Sequence, residues 1–336
     1  MTDVLIIGGG IIGLASAIAL TQKGANVTIV ERDRCGHGAT WAAAGMLAPE
    51  AEGLEGELLA FGLRSRSMYP QWIANLMRLS GLECGYWCCG IIAPIVAAAE
   101  AQKLATHQQY LNAQESHRRQ SGLGEHIWGS LWLPEDGQVH NRKLAQALIA
   151  SVHTLGIKVM EGTVVYQIGR SQGRVTHIET NTGKLQADYY VLATGAWTQS
   201  LLPLPIQPIK GQMLSVYDRD RRLQRVIYAP HSYIVPRQDG EIVIGATVEN
   251  CGFNQGNTAA GIAQLLNNAI AIYPAIANMP IINTWWGFRP HAPQEIPLIG
   301  KSEYENLILA TGHYRNGILL APLTAHLICE EINNTK

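Results

Sequence analysis

The sequence predicts an α/β protein of two domains, one wound around parallel strands and one built on an antiparallel sheet. Three observations predict it. The run Gly8-Gly9-Gly10-Ile11-Ile12-Gly13 matches G-x-G-x-x-G, follows an apolar strand segment and opens a helical one. The segments MLSVY, RVIYA, SYIVPR and EIVIGAT are strand-like and crowd residues 205 to 250, with Asp239-Gly240 as a hairpin turn between the last two. The chain closes on another strand–helix pair, NLILATG and RNGILLAPLTAHLICEEI. The opening and closing pairs read as one Rossmann-like domain, which makes the antiparallel sheet an insertion within it.

Residues 3 to 7, DVLII, read as a short buried strand bounded by glycines. Ile11 to Lys23 reads as helix, with small residues at Ala15, Ala17 and Ala19, and NVTIV at 26 to 30 as the next strand. Together they make a βαβ unit. TWAAAGMLAPE, 40 to 50, is small and apolar, so its backbone can approach a ligand closely. Helices are expected over Glu57 to Ser80 and near Ala97 to Gln114, and an amphipathic one over Asn141 to Leu155 with Asn141 as its N-cap. KVMEGTVVYQI, 158 to 168, and RVTHIET, 174 to 180, read as strands. NTGK is a turn, and ADYYVLATG is a strand entering a helix near Trp197. A helix over 258 to 271 precedes the closing segments. The expected partition gives residues 1–85, 141–204 and 292–336 to the Rossmann-like domain and 86–140 and 205–291 to the antiparallel one.

Composition excludes several classes. The chain has 336 residues, 47% hydrophobic and 15% charged, with a formal net charge of -1. That lacks the basic field of a general nucleic-acid binder. Cys35, Cys84, Cys88, Cys89, Cys251 and Cys329 form no framework of a small secreted domain. CGYWCC has no partner pair at zinc spacing, so no metal is expected. The apolar run GIIAPIVAAA is broken by proline and falls short of the ~18 residues of a membrane span. No signal peptide is visible at the start, and a cytoplasmic location is the expectation.

The glycine run has a physical reading. Gly8 permits a tight turn, Gly10 lets backbone reach a pyrophosphate, and Gly13 allows close helix–strand packing. The helix N-terminus faces the phosphates. Glu31 closes the next strand, where an acidic side chain accepts hydrogen bonds from a ribose diol and disfavours a 2′-phosphate. The fingerprint does not separate FAD from NAD. Two later segments favour FAD: VLATGAW, a strand ending at Gly195, and ATGHYRNGILLAP, a strand passing through glycines into the last helix. That helix N-terminus would stabilise a reduced flavin ring.

Arg289 sits in TWWGFRPHAPQEIPLIG beside Trp285, Trp286 and Phe288. A guanidinium is costly to bury unpaired. Either it stacks on a tryptophan as a structural group, or it awaits an anionic ligand.

VLIIGGGIIG, TWAAAGMLAPEAE, HSYIVPR, GATVE, WWGFRP and GHYRNGILLAP carry a resemblance that covers essentially the whole chain. The sequence resembles the FAD-dependent glycine oxidases of thiamine biosynthesis, within the D-amino-acid oxidase and sarcosine oxidase superfamily. The resemblance implies a two-domain flavoprotein with a Rossmann-like FAD-binding domain and a substrate domain on an antiparallel sheet. It implies oxidation of glycine to its imine, with O2 reduced to H2O2. The imine then hydrolyses to glyoxylate or passes to thiazole synthesis. It also implies a homo-oligomer, a tetramer among the forms considered. Arg289 would grip the substrate carboxylate, Tyr233 assist it, and Arg315 lie at substrate and flavin, with Met46 and His231 beside the substrate. Flavin contacts would fall on Ile11, Ile12, Glu31, Arg32, Ala39, Thr40, Ala44, Gly45, Met46, Val164 and the run His313, Tyr314, Arg315, Asn316, Gly317, Ile318 and Leu319. Trp41 stands where the family carries small or hydroxyl residues. No cysteine adjoins Arg289 in sequence, so FAD is expected to be non-covalent.

Only a neutral amine releases electron density toward the α-carbon, so the substrate must lose a proton, and no protein base is forced by this scheme. His231 and His313 are read as hydrogen-bonding or packing groups rather than bases. Glu50 and Glu52 follow the glycine of the flavin loop, which puts them either at the site entrance or on a solvated loop, and the loop is the preferred reading. Two rivals stay open: a quinone-linked amino acid dehydrogenase on the same fold, and a flavin-binding subunit without turnover.

Overall fold

The computed structural model describes residues 2–334. Short apolar runs form its central sheet. Asp3–Ile7 buries Val4 to Ile7 and lies between Asn26–Val30 and Tyr189–Leu192, parallel to both. The order across the sheet is Leu298–Lys301, Leu307–Thr311, Tyr189–Leu192, Asp3–Ile7, Asn26–Val30, Lys158–Met160, and only the first pair is antiparallel. The connecting helix Ile11–Gln22 is apolar nearly all round. It can be so because it packs against the sheet and against helices Asn141–Thr154 and Gly317–Asn334. The strands Val165–Ser171, Arg174–Thr180 and Gly183–Leu185 form a small sheet that packs Ile168, Val175 and Ile178 against Leu5, Ile7 and Leu192. The chain leaves Asp3–Ile7 for one neighbour and later returns on the other side. That reversal opens a crevice beyond the carboxyl ends of the strands.

The second sheet has eight strands, ordered Ile281–His291, Gln207–Tyr217, Glu241–Gly245, Ser232–Pro236, Val226–Ala229, Ile91–Ile95, Gly129–Leu133, Tyr110–Asn112. It is antiparallel except where Val226–Ala229 meets Ile91–Ile95, a parallel pair. Ile91–Ile95 arrives from a long excursion, so no hairpin fixes its direction. Helix Ala259–Ile272 covers one face, packing Leu265, Ala269 and Ile272 on Leu214, Ile234 and Ile244. By period-2 alternation Met213, Val235 and Val243 face the other way, where they pack with Ala42, Ala44 and Ala48.

Three expected elements differ. The helix near Ala97 to Gln114 is two short helices, Ala98–Leu104 and Ala113–Arg119, either side of the strand Tyr110–Asn112. Asn112 starts the second helix. Its side chain accepts from Glu115 N at 3.0 Å, and Glu115 accepts from Asn112 N at 2.9 Å, a capping box. Asn141 is not an N-cap; His140 is, its Nδ1 accepting from Lys143 N at 3.5 Å. Asn141 is buried and donates to the carbonyls of Thr40 and Trp41, at 2.9 Å each. KVMEGTVVYQI breaks at Gly162 (φ 66°) into Lys158–Met160 and Val165–Ser171, strands of different sheets. The break places Thr163 N 2.9 Å from Glu31 O. Among the described residues no helix is long and apolar enough to cross a membrane.

Candidate functional site

A cavity of about 530 Å³ is walled by the carboxyl ends of the parallel strands and by the inner face of the eight-stranded sheet. The glycine run walls one end. Gly8 has φ 112°, and a β-carbon there would stand 2.4 Å from Ala193 O. A β-carbon on Gly13 would stand 1.9 Å from Gly8 O, so Gly13 serves helix–strand packing. Gly10 differs. A β-carbon there would meet only Thr40 Oγ1, at 3.5 Å, which leaves room for an anion at the start of helix Ile11–Gln22. Thr40 Oγ1 itself accepts from Ile11 N at 2.9 Å. Glu31 lines the cavity, and its carboxylate accepts from Gly9 N at 2.7 Å and Asp33 N at 2.9 Å. The Arg32 guanidinium lies over Trp197, 3.7 Å from the ring centroid, and Trp197 stacks on Phe253. Helix Gly317–Asn334 also starts at the cavity, with Gly317 and Ile318 in its wall. Behind them Asn316 Nδ2 is buried without a hydrogen-bond partner. A glycine cradle, an acidic strand end and two helix N-termini on one cavity fit a dinucleotide such as FAD.

The strand Ile281–His291 walls the other end. Trp285, Gly287 and Arg289 share one face of it. Trp285 is core, its indole N–H donating to Ala42 O at 3.0 Å. Gly287 admits Ala42, whose Cβ would stand 2.4 Å from a β-carbon there. Arg289 lies over Gly211 of the neighbouring strand and donates from Nη1 to Thr247 O at 3.1 Å and Lys210 O at 3.4 Å. No ion pair engages it among the described residues. The arginine stacked on Trp285 is Arg142, 4.6 Å from that ring and 4.5 Å from Trp41. Of the aromatic neighbours of Arg289, Phe288 lines the cavity and Trp286 is exposed. Tyr233 lies over Gly245 as Arg289 lies over Gly211, its hydroxyl 2.5 Å from where a β-carbon would be. Burial pushes the Tyr233 hydroxyl up, against the pull of Arg289, so it keeps its proton and can donate.

Arg315 pairs with Glu295 at 3.2 Å, and its Nε stands 3.7 Å from Glu52 Oε2. Glu52 is not on a solvated loop. Its side chain is 8% exposed and lines the cavity, and Oε2 has no hydrogen-bond partner. Burial pushes its carboxyl up to about 7, against Arg315 and Arg289. Glu50 instead pairs with Arg66 at 2.6 Å. Sequence reading left Glu52 on a solvated loop and missed Tyr228, which lines the same wall and lies within the field of Arg315. One signal was available for Glu52: it ends AAAGMLAPEAE, a stretch too apolar for a solvated loop.

Most of the expected residues meet in this one cavity. Gly8, Gly10, Ile11, Ile12, Glu31, Arg32, Ala39, Thr40, Ala44, Gly45, Met46, Val164, Gly195, His231, Tyr233, Arg289, His313, Tyr314, Arg315, Gly317 and Ile318 line it. Gly13, Asn316 and Leu319 are not among its lining residues; Leu319 belongs to the core. His313 is buried, its Nε2 2.9 Å from Thr324 Oγ1, and burial pushes it down to about 3. It is therefore neutral at physiological pH, a packing histidine. None of the cysteines lines the cavity.

The family model described as FAD dependent oxidoreductase (DAO) matches residues 3–331. A bifunctional protein ThiO/ThiG from Trichormus variabilis is 47% identical to this chain, over 99% of the chain and 53% of its own length. A glycine oxidase from Bacillus licheniformis is 32% identical, over 98% of this chain and 92% of its own. The crystal structure of glycine oxidase from Geobacillus kaustophilus superposes with a TM-score of 0.94 at 31% identity, covering 100% of this chain and 96% of that one. The chain spans about half the length of the bifunctional relatives it matches.

Proposed function

The chain belongs to the FAD-dependent oxidoreductase family, and from that premise we propose that it is an amino acid oxidase whose substrate is glycine. Sarcosine and small D-amino acids form the wider range. Arg289 carries this reading: a guanidinium in a cavity wall, beside Tyr233, with no ion-pair partner among the described residues. A carboxylate ligand supplies the missing charge.

Arg289 takes the substrate carboxylate through parallel hydrogen bonds, which fix orientation as well as charge. Tyr233 donates a further one. Gly211 and Gly245 keep both side chains flat on the sheet, and Met46 and His231 bound the space beside them. Phe288, on the opposite face of its strand from Arg289, packs with Trp197 and Phe253 and walls the cavity on the side of Arg32. Glu31 and the glycine run hold the dinucleotide, while the start of helix Gly317–Asn334 presents its partial positive charge to the cavity. Bound FAD supplies the two-electron oxidation of the α-carbon, and its reoxidation converts O2 to H2O2. On this reading residues 1–85, 141–204 and 292–336 hold FAD, and residues 86–140 and 205–291 shape the substrate space.

The imine product hydrolyses to glyoxylate or passes to thiazole synthesis. The relative named ThiO/ThiG supports the second route. A homo-oligomer in the cytoplasm completes the proposal. Adding glycine anaerobically to the purified yellow protein should bleach its flavin absorbance, and admitting air should yield peroxide. Bleaching without peroxide would favour a dehydrogenase, and no bleaching a subunit without turnover.

A further inference from the structure

We infer that Glu52 holds the ammonium group of the substrate and takes its proton before the α-carbon is oxidised; this rests on the amino acid oxidase reading above. An amino acid enters as a zwitterion and brings charges of both signs. Arg289 and Tyr233 account for the carboxylate. The ammonium group needs acceptors, and the carboxylates in the cavity wall belong to Glu31, Asp33 and Glu52. Glu31 is held by Gly9 N and Asp33 N at the glycine run, and Asp33 pairs with Arg32. Glu52 stands at the other end, in the fields of Arg289, Tyr228 and Tyr233.

The geometry of Glu52 is that of an acceptor without a donor. Its Oε2 is buried and makes no hydrogen bond. Arg315 stands 3.7 Å away but is shared with Glu295. A buried acceptor left unmade is costly, and an ammonium group carries three donors. The charged groups around Glu52 come from several elements. Arg315 and Arg289 favour its ionised form, Glu295 and Asp136 oppose it, and its charge in turn pushes the Tyr228 and Tyr233 hydroxyls up. Burial outweighs the arginines and leaves the carboxyl near neutrality, the range that suits a general base. The step is balanced. One N–H bond of the ammonium breaks and an O–H bond to Glu52 forms, turning cation and carboxylate into neutral amine and neutral carboxyl. Burial favours that direction, because two neutral groups replace two buried charges, whereas Arg315, 3.7 Å from Glu52, holds the carboxylate ionised before the transfer.

The test compares wild type with Glu52→Gln. Anaerobic flavin bleaching by glycine is timed between about pH 6 and 10, spanning the free carboxyl and amine ranges. Acetate binding, read from the shift it causes in flavin absorbance, reports the carboxylate grip alone. We expect Glu52→Gln to bleach about 100-fold more slowly at pH 7, to recover as pH approaches the free-amine range, and to bind acetate as wild type does. An unchanged pH profile overturns the role of Glu52 and leaves the oxidase reading standing. Loss of acetate binding together with bleaching makes Glu52 a structural support and also overturns it. If glycine, sarcosine and D-alanine all fail to bleach wild type, both readings fall together. Should Glu52→Gln not hold FAD, Glu52→Asp carries the test, since it draws the carboxyl back by one methylene. It must bleach more slowly at pH 7 with acetate binding kept, and bleaching at the wild-type rate overturns the assignment.

Discussion

The Arg289 guanidinium lies across Gly211: a β-carbon on that glycine would stand 2.4 Å from Nη2 and 2.5 Å from Nη1. Strand pairing sets this arrangement. Gly211 pairs with Gly287 and Ile209 with Arg289, so the side chain runs along the neighbouring strand to reach the glycine. Alanine at 211 displaces the guanidinium rather than the fold, because the clash is with the end of a flexible side chain. The fork then no longer meets a carboxylate squarely. Gly211→Ala should raise the glycine KM roughly 10- to 100-fold, the worth of a charge-assisted pair, while kcat changes far less. Peroxide-coupled kinetics measure it, and a wild-type KM would remove Gly211 from this role.

Arg289→Lys separates charge from shape. Nη1 already serves the carbonyls of Thr247 and Lys210. A lysine ammonium is a point charge and cannot hold those carbonyls and a carboxylate fork together. KM for glycine should rise about 100-fold with kcat within a few-fold of wild type, the pattern of lost ground-state binding. Wild-type kinetics in this variant would show that the carboxylate is held elsewhere.

The legible parts of this site were those with local causes. Gly8, Gly10 and Glu31 belong to a strand–turn–helix whose spacing is set within one βαβ unit. Arg289 stood out because its neighbours in sequence are aromatic. Glu52 was misread because its surroundings come from distant parts of the chain: Arg315 stands 3.7 Å away, and Glu295 and Tyr228 interact with its charge. The run His313 to Leu319 was carried over whole, yet it turns into a helix at Gly317, and residues on a helix cannot all face one cavity. Gly317 and Ile318 do face it, and Leu319 packs into the core. The parallel pair in the second sheet was invisible for a similar reason, since nothing local fixes which way Ile91–Ile95 runs.

Glu31 both faces the cavity and braces the glycine run through Gly9 N. Glu31→Ala removes the ribose acceptor and leaves that amide without its partner. The FAD Kd should rise about 10- to 100-fold, the range for a lost charge-assisted bond. Titration of apoprotein with FAD reads it directly. A Kd within twofold of wild type would mean that the ribose is held by other groups.

Glu52 also gives stability a pH dependence whose sign follows from its shift. Burial raises its carboxyl from the ordinary 4.5 to about 7 in the folded chain. Between those values the folded state binds more protons than the unfolded state, so stability falls as pH rises through the window. Below the unfolded value the contribution is fully present, and above the folded value it is lost. The difference is worth up to about 3 kcal/mol, with little solvent screening because the side chain is 8% exposed. Asp136, raised by burial to about 6, slopes the same way and stays in both proteins compared. Glu52→Gln does not titrate. In denaturant melts at matched FAD it should exceed wild type by up to about 3 kcal/mol at pH 8 and lose that advantage by about pH 5. Parallel pH profiles for the two proteins would mean that Glu52 is as well hydrated folded as unfolded, and would overturn the raised carboxyl assigned to it.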